Sequence, residues 1–369
     1  MSDPVPFVDI VGMQRPAHDE LKGAFARMLS HGRYVLGPEV ADFEAQLADY
    51  ASVQHAVGVS SGTDALLATF LALELPPGSE VITTPFTFIS TATSVLRAGL
   101  RPVFVDLPEG QMHPGPAEIE AAITAKTSAV LVVHLFGAPL DLDATVALCD
   151  RNGLALVEDC AQAIGARWPT GQHVGSRGVA GTLSFFPAKN LGALGDGGAV
   201  LTNDAELARK VRAVRQHGCE VKYLHERLGG NFRLDALQAA MLKVLLPHLD
   251  GWVASRRANA AAYRSALADQ RLAGLQLPPE VPGHTYNQFV VRSDRRDELR
   301  QRLLDDNIGC AIYYPYPLHT QVALQAAQPA ADLPGVERRC REVLALPIAP
   351  GLTADGIARV VECIRDVHG

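Results

Sequence analysis

Val57-Gly58-Val59-Ser60-Ser61-Gly62-Thr63-Asp64-Ala65-Leu66 reads as the end of a buried strand, a glycine-containing turn and the start of a helix. It opens a longer alternation. Between about residues 55 and 205, apolar runs occur at His55–Val59, Glu80–Thr83, Pro102–Val105, Ala129–His134, Ala155–Glu158 and Ala199–Thr202. Helical patterns at Asp64–Leu73, Ser90–Ala98, Pro116–Ile123 and Asp143–Asn152 lie between them, with apolar residues three or four apart. This βα order predicts an α/β fold with a mostly parallel central sheet and helices on both faces. Such sheets bind ligands beyond the carboxyl ends of their strands, so the residues just past each run are the candidates for a site.

The remainder is organised differently. Leu234 to about Leu267 is rich in Ala, Leu, Arg and Gln and predicts helices, with kinks expected at Pro247 and Gly251. Tyr286–Val291, a helix near Asp297–Asp305, Cys310–Tyr314 and a helix at Ala354–Val367 suggest a compact second α/β unit. We expect a large domain over residues 1–245 and a small C-terminal one over 246–369. Leu324–Leu333 reads as a surface loop, and no internal repeat is visible.

With 369 residues, 48% of them hydrophobic, and a formal charge of −7, the chain can bury a large core and has no basic face for nucleic acid. No zinc-type spacing predicts a metal site. Six cysteines, Cys149, Cys160, Cys219, Cys310, Cys340 and Cys363, are scattered without CxxC pairs, which suits reduced thiols. Met1-Ser2-Asp3-Pro4-Val5-Pro6 lacks a basic and then apolar leader, and no apolar run is long enough to span a bilayer. A cytoplasmic location without membrane contact is expected.

Ser184-Phe185-Phe186-Pro187-Ala188-Lys189-Asn190-Leu191-Gly192-Ala193-Leu194-Gly195-Asp196-Gly197-Gly198 holds one lysine, an upstream hydroxyl and a glycine-rich exit. Thirty residues earlier, Leu154-Ala155-Leu156-Val157 delivers Asp159 at a strand end. A lysine that can hold an aldehyde, and an acid that can keep a pyridine nitrogen protonated, are what pyridoxal phosphate (PLP) chemistry needs. Gln162 can donate to the phenolic oxygen of that ring. Taken singly, Asp159 is equally a turn or cap residue and Lys189 a surface charge.

The turn at Gly62-Thr63 offers backbone amides and a hydroxyl at a helix N-terminus, which favours a phosphate; capping by Ser61 or Thr63 is the competing reading. The Walker pattern is absent, and the glycines at 192, 195, 197 and 198 do not open a helix after a strand. Thr84-Pro85-Phe86-Thr87-Phe88 places two rings past a strand end, where Phe88, or Phe86, can cover the pyridine face or join the core. In Gly229-Gly230-Asn231-Phe232-Arg233, the amide and guanidinium suit phosphate or carboxylate, while Asn231 can also cap the helix that follows.

In these motifs the chain resembles the DegT-type sugar aminotransferases, PLP-dependent enzymes of the aspartate-aminotransferase fold (fold type I). The likeness runs from Phe7-Val8-Asp9-Ile10 and Val35-Leu36-Gly37-Pro38 to Gln238-Ala239-Ala240. It implies that Lys189 is the Schiff-base lysine, Asp159 the partner of the pyridine nitrogen and Gln162 the contact to the phenolic oxygen. Gly62, Thr63 and Ser184 match phosphate ligands, and Phe88 the stacked aromatic. Asn231 matches a phosphate contact made from the neighbouring subunit, so a homodimer with shared sites is implied, with Arg233 near the substrate.

Lys189-Asn190-Leu191-Gly192-Ala193-Leu194-Gly195-Asp196-Gly197-Gly198 resembles members acting on 3-keto nucleotide sugars, whereas many 4-keto members have a GEGG exit. Ala311-Ile312-Tyr313-Tyr314-Pro315-Tyr316-Pro317-Leu318-His319 resembles the sugar-nucleotide loop, with Tyr313 where several members have histidine; Tyr313 and His319 are the implied substrate contacts. The implied activity is amino transfer from L-glutamate to C-3 of a UDP-linked 2-acetamido-3-keto-glucose, or else of a dTDP-linked 3-keto-6-deoxyhexose. Lys189 opposes a dehydratase, which has histidine there, and also a non-catalytic regulator.

Overall fold

The computed structural model describes residues 3–268, 272–325 and 332–369. A seven-stranded sheet comprises β1 (His55–Val59), β2 (Glu80–Thr83), β3 (Arg101–Phe104), β4 (Thr127–Val133), β5 (Ala155–Asp159), β6 (Ala180–Ser184) and β7 (Gly198–Thr202). Their order across the sheet is β1-β7-β6-β5-β4-β2-β3. Only β7 runs antiparallel to its neighbours. The carboxyl ends of the other six strands therefore share one edge, and β7 starts there.

Both faces of this sheet are buried, and side-chain alternation sorts the strand residues between them. Ala56, Ile82, Val130, Leu156, Ala199 and Leu201 join one core cluster with Phe43, Leu47 and Leu242 from helices Pro38–Ala51 and Ala236–Leu245. Val57, Val59 and Val200 pack oppositely with Ala65, Ala68, Leu207 and Val211 from helices Gly62–Leu73 and Ala205–Val214. Val81, Ala129, Leu131 and Val157 pack on that same side with Leu66, Phe70 and Val95.

β6 was not among the expected strands. Ala180-Gly181-Thr182-Leu183-Ser184 is short, contains a glycine and follows no helix; pairing of Val157 with Ala180 and of Gly181 with Leu201 brings it into the sheet. Gly181 has a tertiary reason, since a Cβ there would lie 2.4 Å from Gly175 Cα and O.

After the hairpin β8 (Cys219–Val221) and β9 (Leu224–His225), the chain returns through helix Ala236–Leu245, a 3-10 turn Leu246–His248 containing Pro247, and helix Leu249–Leu267. That helix runs unbroken through Gly251. The expected division at 245/246 falls at the Pro247 turn, while hydrophobic contacts change hands inside the long helix. Leu249, Trp252 and Val253 belong to the large core, and Ala260, Tyr263 and Leu267 to the second.

That second core covers an antiparallel sheet of β10 (Leu275–Gln276), β11 (Phe289–Ser293) and β12 (Val343–Leu346), with helices Arg296–Asp305 and Ala354–His368. Cys310–Tyr314 is not a strand, and only Ala311 bridges to Ala345. Most of the predicted loop Leu324–Leu333 lies outside the described residues, and Leu324 is buried. All six cysteines are free. No helix among the described residues is long and apolar enough to cross a membrane.

Candidate active site

Asp159 closes β5 and is buried. Its Oδ1 accepts from the Ala161 amide at 3.1 Å and its Oδ2 from Thr91 Oγ1 at 3.0 Å. Burial raises its pKa, and these two donors together with Lys189 counteract that effect. Lys189 lies in the turn that leaves β6, closed by its amide on Phe186 O at 2.8 Å. Its ammonium has no hydrogen-bond or ion-pair partner among the described residues. Burial pushes its pKa down to about 8, against the pull of Asp159. A desolvated amine with a buried carboxylate as its nearby counter-charge is poised to act as a nucleophile and proton carrier.

The β1 turn and the β7 start form a cradle beside this pair. Register aligns Val59 with Gly198 and Gly198 with Ser184. A Cβ on Gly198 would meet Ser61 C and O at 2.4 Å, and one on Gly62 would meet Ser184 Cβ at 2.7 Å. Ser61 caps helix Gly62–Leu73 through the Asp64 amide at 3.0 Å, so the capping alternative holds for Ser61. Thr63 instead shares a 2.6 Å bond with Ser90 Oγ. The first-turn amides of Gly62 and Thr63 have no intrahelical acceptor and remain open to an anion. The glycine-rich exit thus reflects close packing, with Gly192 against Pro187 O and Gly195 against Gln238.

Gln162 is fixed at both ends. Phe136 N can only donate, so Oε1 accepts it at 2.6 Å, and Nε2 donates to Tyr314 OH at 3.2 Å. One amide proton is left over. Phe86 is fully buried, whereas Phe88 is 58% exposed with its ring 6.5 Å from that of Tyr314. Tyr314 itself carries no sequence signal. Its loop is irregular, and no local pattern distinguishes it from Tyr313, which packs on Phe7.

The remaining candidates reach the site by other routes. Leu318 N bonds Pro85 O at 2.9 Å, tying the 311–319 loop to the β2 exit. His319 is buried there with neither ring nitrogen hydrogen-bonded, its Nε2 3.5 Å from Glu337 Oε1. The Arg233 backbone bridges to Val59. The Asn231 and Arg233 side chains take no hydrogen bond or ion pair from the described residues. Asn231 does not cap the next helix, because Asp235 is the N-cap residue.

A family model described as the DegT/DnrJ/EryC1/StrS aminotransferase family matches residues 17–365. The chain belongs to this family. It is 44% identical over 98% of its length to a dTDP-3-amino-3,4,6-trideoxy-alpha-D-glucose transaminase from Streptomyces venezuelae, covering 96% of that protein. It is 44% identical over 99% to a UDP-N-acetyl-3-dehydro-alpha-D-glucosamine 3-aminotransferase from Acidithiobacillus ferrooxidans, covering 98%. A pleiotropic regulatory protein of Geobacillus stearothermophilus is 42% identical over 99% of the chain and 98% of its own length. The crystal structure of S. venezuelae DesV superposes with a TM-score of 0.95 at 44% identity, covering 100% of this chain and 99% of that one.

The DegT/DnrJ/EryC1/StrS enzymes are PLP-dependent sugar aminotransferases of fold type I, so this chain is a PLP-dependent aminotransferase. Its residues fit that cofactor: a cradle that a Cβ would fill, open amides, a desolvated lysine and a buried acid lie at one sheet edge. Beneath them, Glu158 accepts from His134 Nε2 at 2.8 Å, Gly175 N at 2.7 Å, Arg177 N at 2.8 Å and Gly178 N at 2.7 Å. Burial would raise its pKa, but His134 and the amides of Gly178 and Gly175 outweigh it and hold the carboxyl low. His134, Glu158 and Cys160 have metal-binding side chains close together. Their donors are committed elsewhere: Leu140 N occupies His134 Nδ1 at 3.1 Å and four N–H groups fill the carboxylate.

Proposed function

We propose that this enzyme moves the amino group of L-glutamate to the C-3 keto carbon of a nucleotide-linked sugar. UDP-2-acetamido-2-deoxy-3-keto-glucose is the first-choice acceptor and a dTDP-3-keto-6-deoxyhexose the second. The observation that carries amino transfer is the desolvated Lys189 amine within the electrostatic reach of the buried Asp159 carboxylate, both at the same sheet edge. Two relatives, each 44% identical, are named for an amine at C-3 of their own sugars, which supports that position here.

PLP, when bound, supplies an electron sink for the carbanion at the substrate carbon. The chain does the rest. With the cofactor bound, Lys189 would hold its aldehyde and serve as general base and acid, taking a proton from the α-carbon of glutamate and later returning one to the sugar carbon. Asp159 would keep the ring nitrogen protonated, Gln162 would offer its spare amide proton to the phenolic oxygen, and Phe88 would cover the ring. Gly62, Thr63 and Ser184 would hold the phosphate.

Two copies complete each site in this reading. The unpartnered Asn231 and Arg233 side chains support their action on the neighbouring subunit's phosphate and substrate, and Tyr313 and His319 serve the nucleotide sugar. Six free cysteines suit a cytoplasmic setting. Lys189 and its cradle weigh against a purely regulatory role.

Absorption spectra of the PLP-loaded protein test the first half. Adding L-glutamate alone should replace the band of lysine-bound cofactor with that of pyridoxamine phosphate and release 2-oxoglutarate. A band indifferent to glutamate would refute the donor. NMR of the amino sugar formed from each keto sugar then decides between C-3 and C-4.

A further inference from the structure

Among the described residues, two hydrogen-bond donors hold the Asp159 carboxylate, one of them a side chain from another element. Thr91, 1% exposed, sits in the first turn of helix Ser90–Arg97 and places Oγ1 3.0 Å from Asp159 Oδ2. A hydroxyl has one proton and an ionised carboxylate can only accept, so that proton is committed to Asp159. Thr87 Oγ1 lies 3.0 Å from Thr91 Oγ1 and is also buried. With Thr91's proton spent, Thr87 must be the donor of this second bond. While Asp159 is ionised, the direction is Thr87 O–H to Thr91 Oγ1, and Thr91 O–H to Asp159 Oδ2. Each bond polarises the next in a region water does not reach.

We propose that Thr91, polarised by Thr87, is a positioning residue that holds the Asp159 carboxylate charged and in a fixed rotamer for the cofactor's ring nitrogen. This rests on the reading that Asp159 serves that nitrogen. The other charged and titratable groups near Asp159 are Lys189, His134 with its partner Glu158, Cys160 and Tyr314. None of them bonds the carboxylate. Among the described residues, Thr91 is therefore the one side chain that hydrogen-bonds the carboxylate, and Ala161 N the one backbone group.

The test is an equilibrium titration of apoprotein with PLP, followed by absorbance across pH, for the wild type, Thr91→Val, Thr91→Ser, Thr87→Val and Asp159→Asn. Valine keeps the shape of threonine and removes only the hydroxyl. Loss of a hydrogen bond to a charged group should weaken PLP binding by about 10- to 100-fold. The removed donor favoured the ionised acid, so the lower pH limit of binding should also move upward. Thr91→Ser should restore both, and Thr87→Val should shift both less and in the same direction.

Wild-type affinity and pH limit in Thr91→Val would overturn the proposal, as would a loss that serine does not repair. A lower melting temperature with an unmoved pH limit would reduce Thr91 to a packing residue and overturn it too. If Thr91→Val does not fold, Thr87→Val decides by its own pH limit. Wild-type binding by Asp159→Asn would instead remove the assignment of Asp159, and the proposal with it.

Discussion

Glu158→Gln changes one oxygen to an NH2 group in a fully buried site and keeps the shape. The carboxylate there takes four N–H donors, two on each oxygen: His134 Nε2 and Gly175 N on Oε2, Arg177 N and Gly178 N on Oε1. A glutamine must turn its own N–H groups toward one of those pairs, leaving two donors without an acceptor. His134 cannot escape by changing tautomer, because Leu140 N already occupies Nδ1 at 3.1 Å and would then face another N–H. At about 1–3 kcal/mol for each buried donor left unsatisfied, the cost is roughly 2–6 kcal/mol. That is a large share of a typical total stability of about 5–15 kcal/mol. Urea unfolding of the apoprotein at neutral pH should therefore show a clearly lower midpoint for the variant. The folded-state pKa of Glu158 is depressed, so its contribution is present above the unfolded carboxyl pKa and is lost as pH falls through the folded value. The gap between wild type and variant should shrink in acid. A variant within about 0.5 kcal/mol of wild type at neutral pH, the range of an ordinary surface substitution, would refute this reasoning.

Three further outcomes follow from the same site. Lys189→Ala should abolish amino transfer and leave the fold unchanged by circular dichroism; substantial residual turnover would contradict the role of the lysine. In apoprotein, formation of the borohydride-reducible PLP adduct should rise with pH about a midpoint near 8 rather than the ordinary 10.5, and Asp159→Asn should lower that midpoint because the acid raises it; a midpoint near 10 would contradict desolvation of the amine. Gly198→Ala would set a Cβ 2.4 Å from the Ser61 carbonyl, so the turn must shift, at about 1–3 kcal/mol, and PLP affinity should fall, as a fluorescence titration would show.

The chemistry-bearing residues were legible because they punctuate the βα alternation. Asp159 ends an apolar run, Gly62 and Thr63 open a helix after one, and Lys189 stands alone in a glycine-rich segment. Local spacing carries that information, since a strand that ends at a ligand must change from apolar to polar there. β6 was not legible, because Gly181 exists to let Gly175 approach and weakens the strand pattern. The choice between Phe86 and Phe88 was open for a related reason: both are phenylalanines flanking Thr87 just past a strand end, and only packing buries Phe86 in the core.

By itself, then, the sequence determined the α/β class, the succession along the chain of the strands with clear apolar runs, and the residues proposed here to meet a phosphate, an aldehyde and a ring nitrogen. The tertiary structure alone decided which partners complete them. Thr91 is 68 residues from Asp159, and Tyr314 is 152 residues from Gln162. A hydroxyl becomes a determinant of an acid's charge only when folding removes the water between them. No periodicity along the chain records that removal.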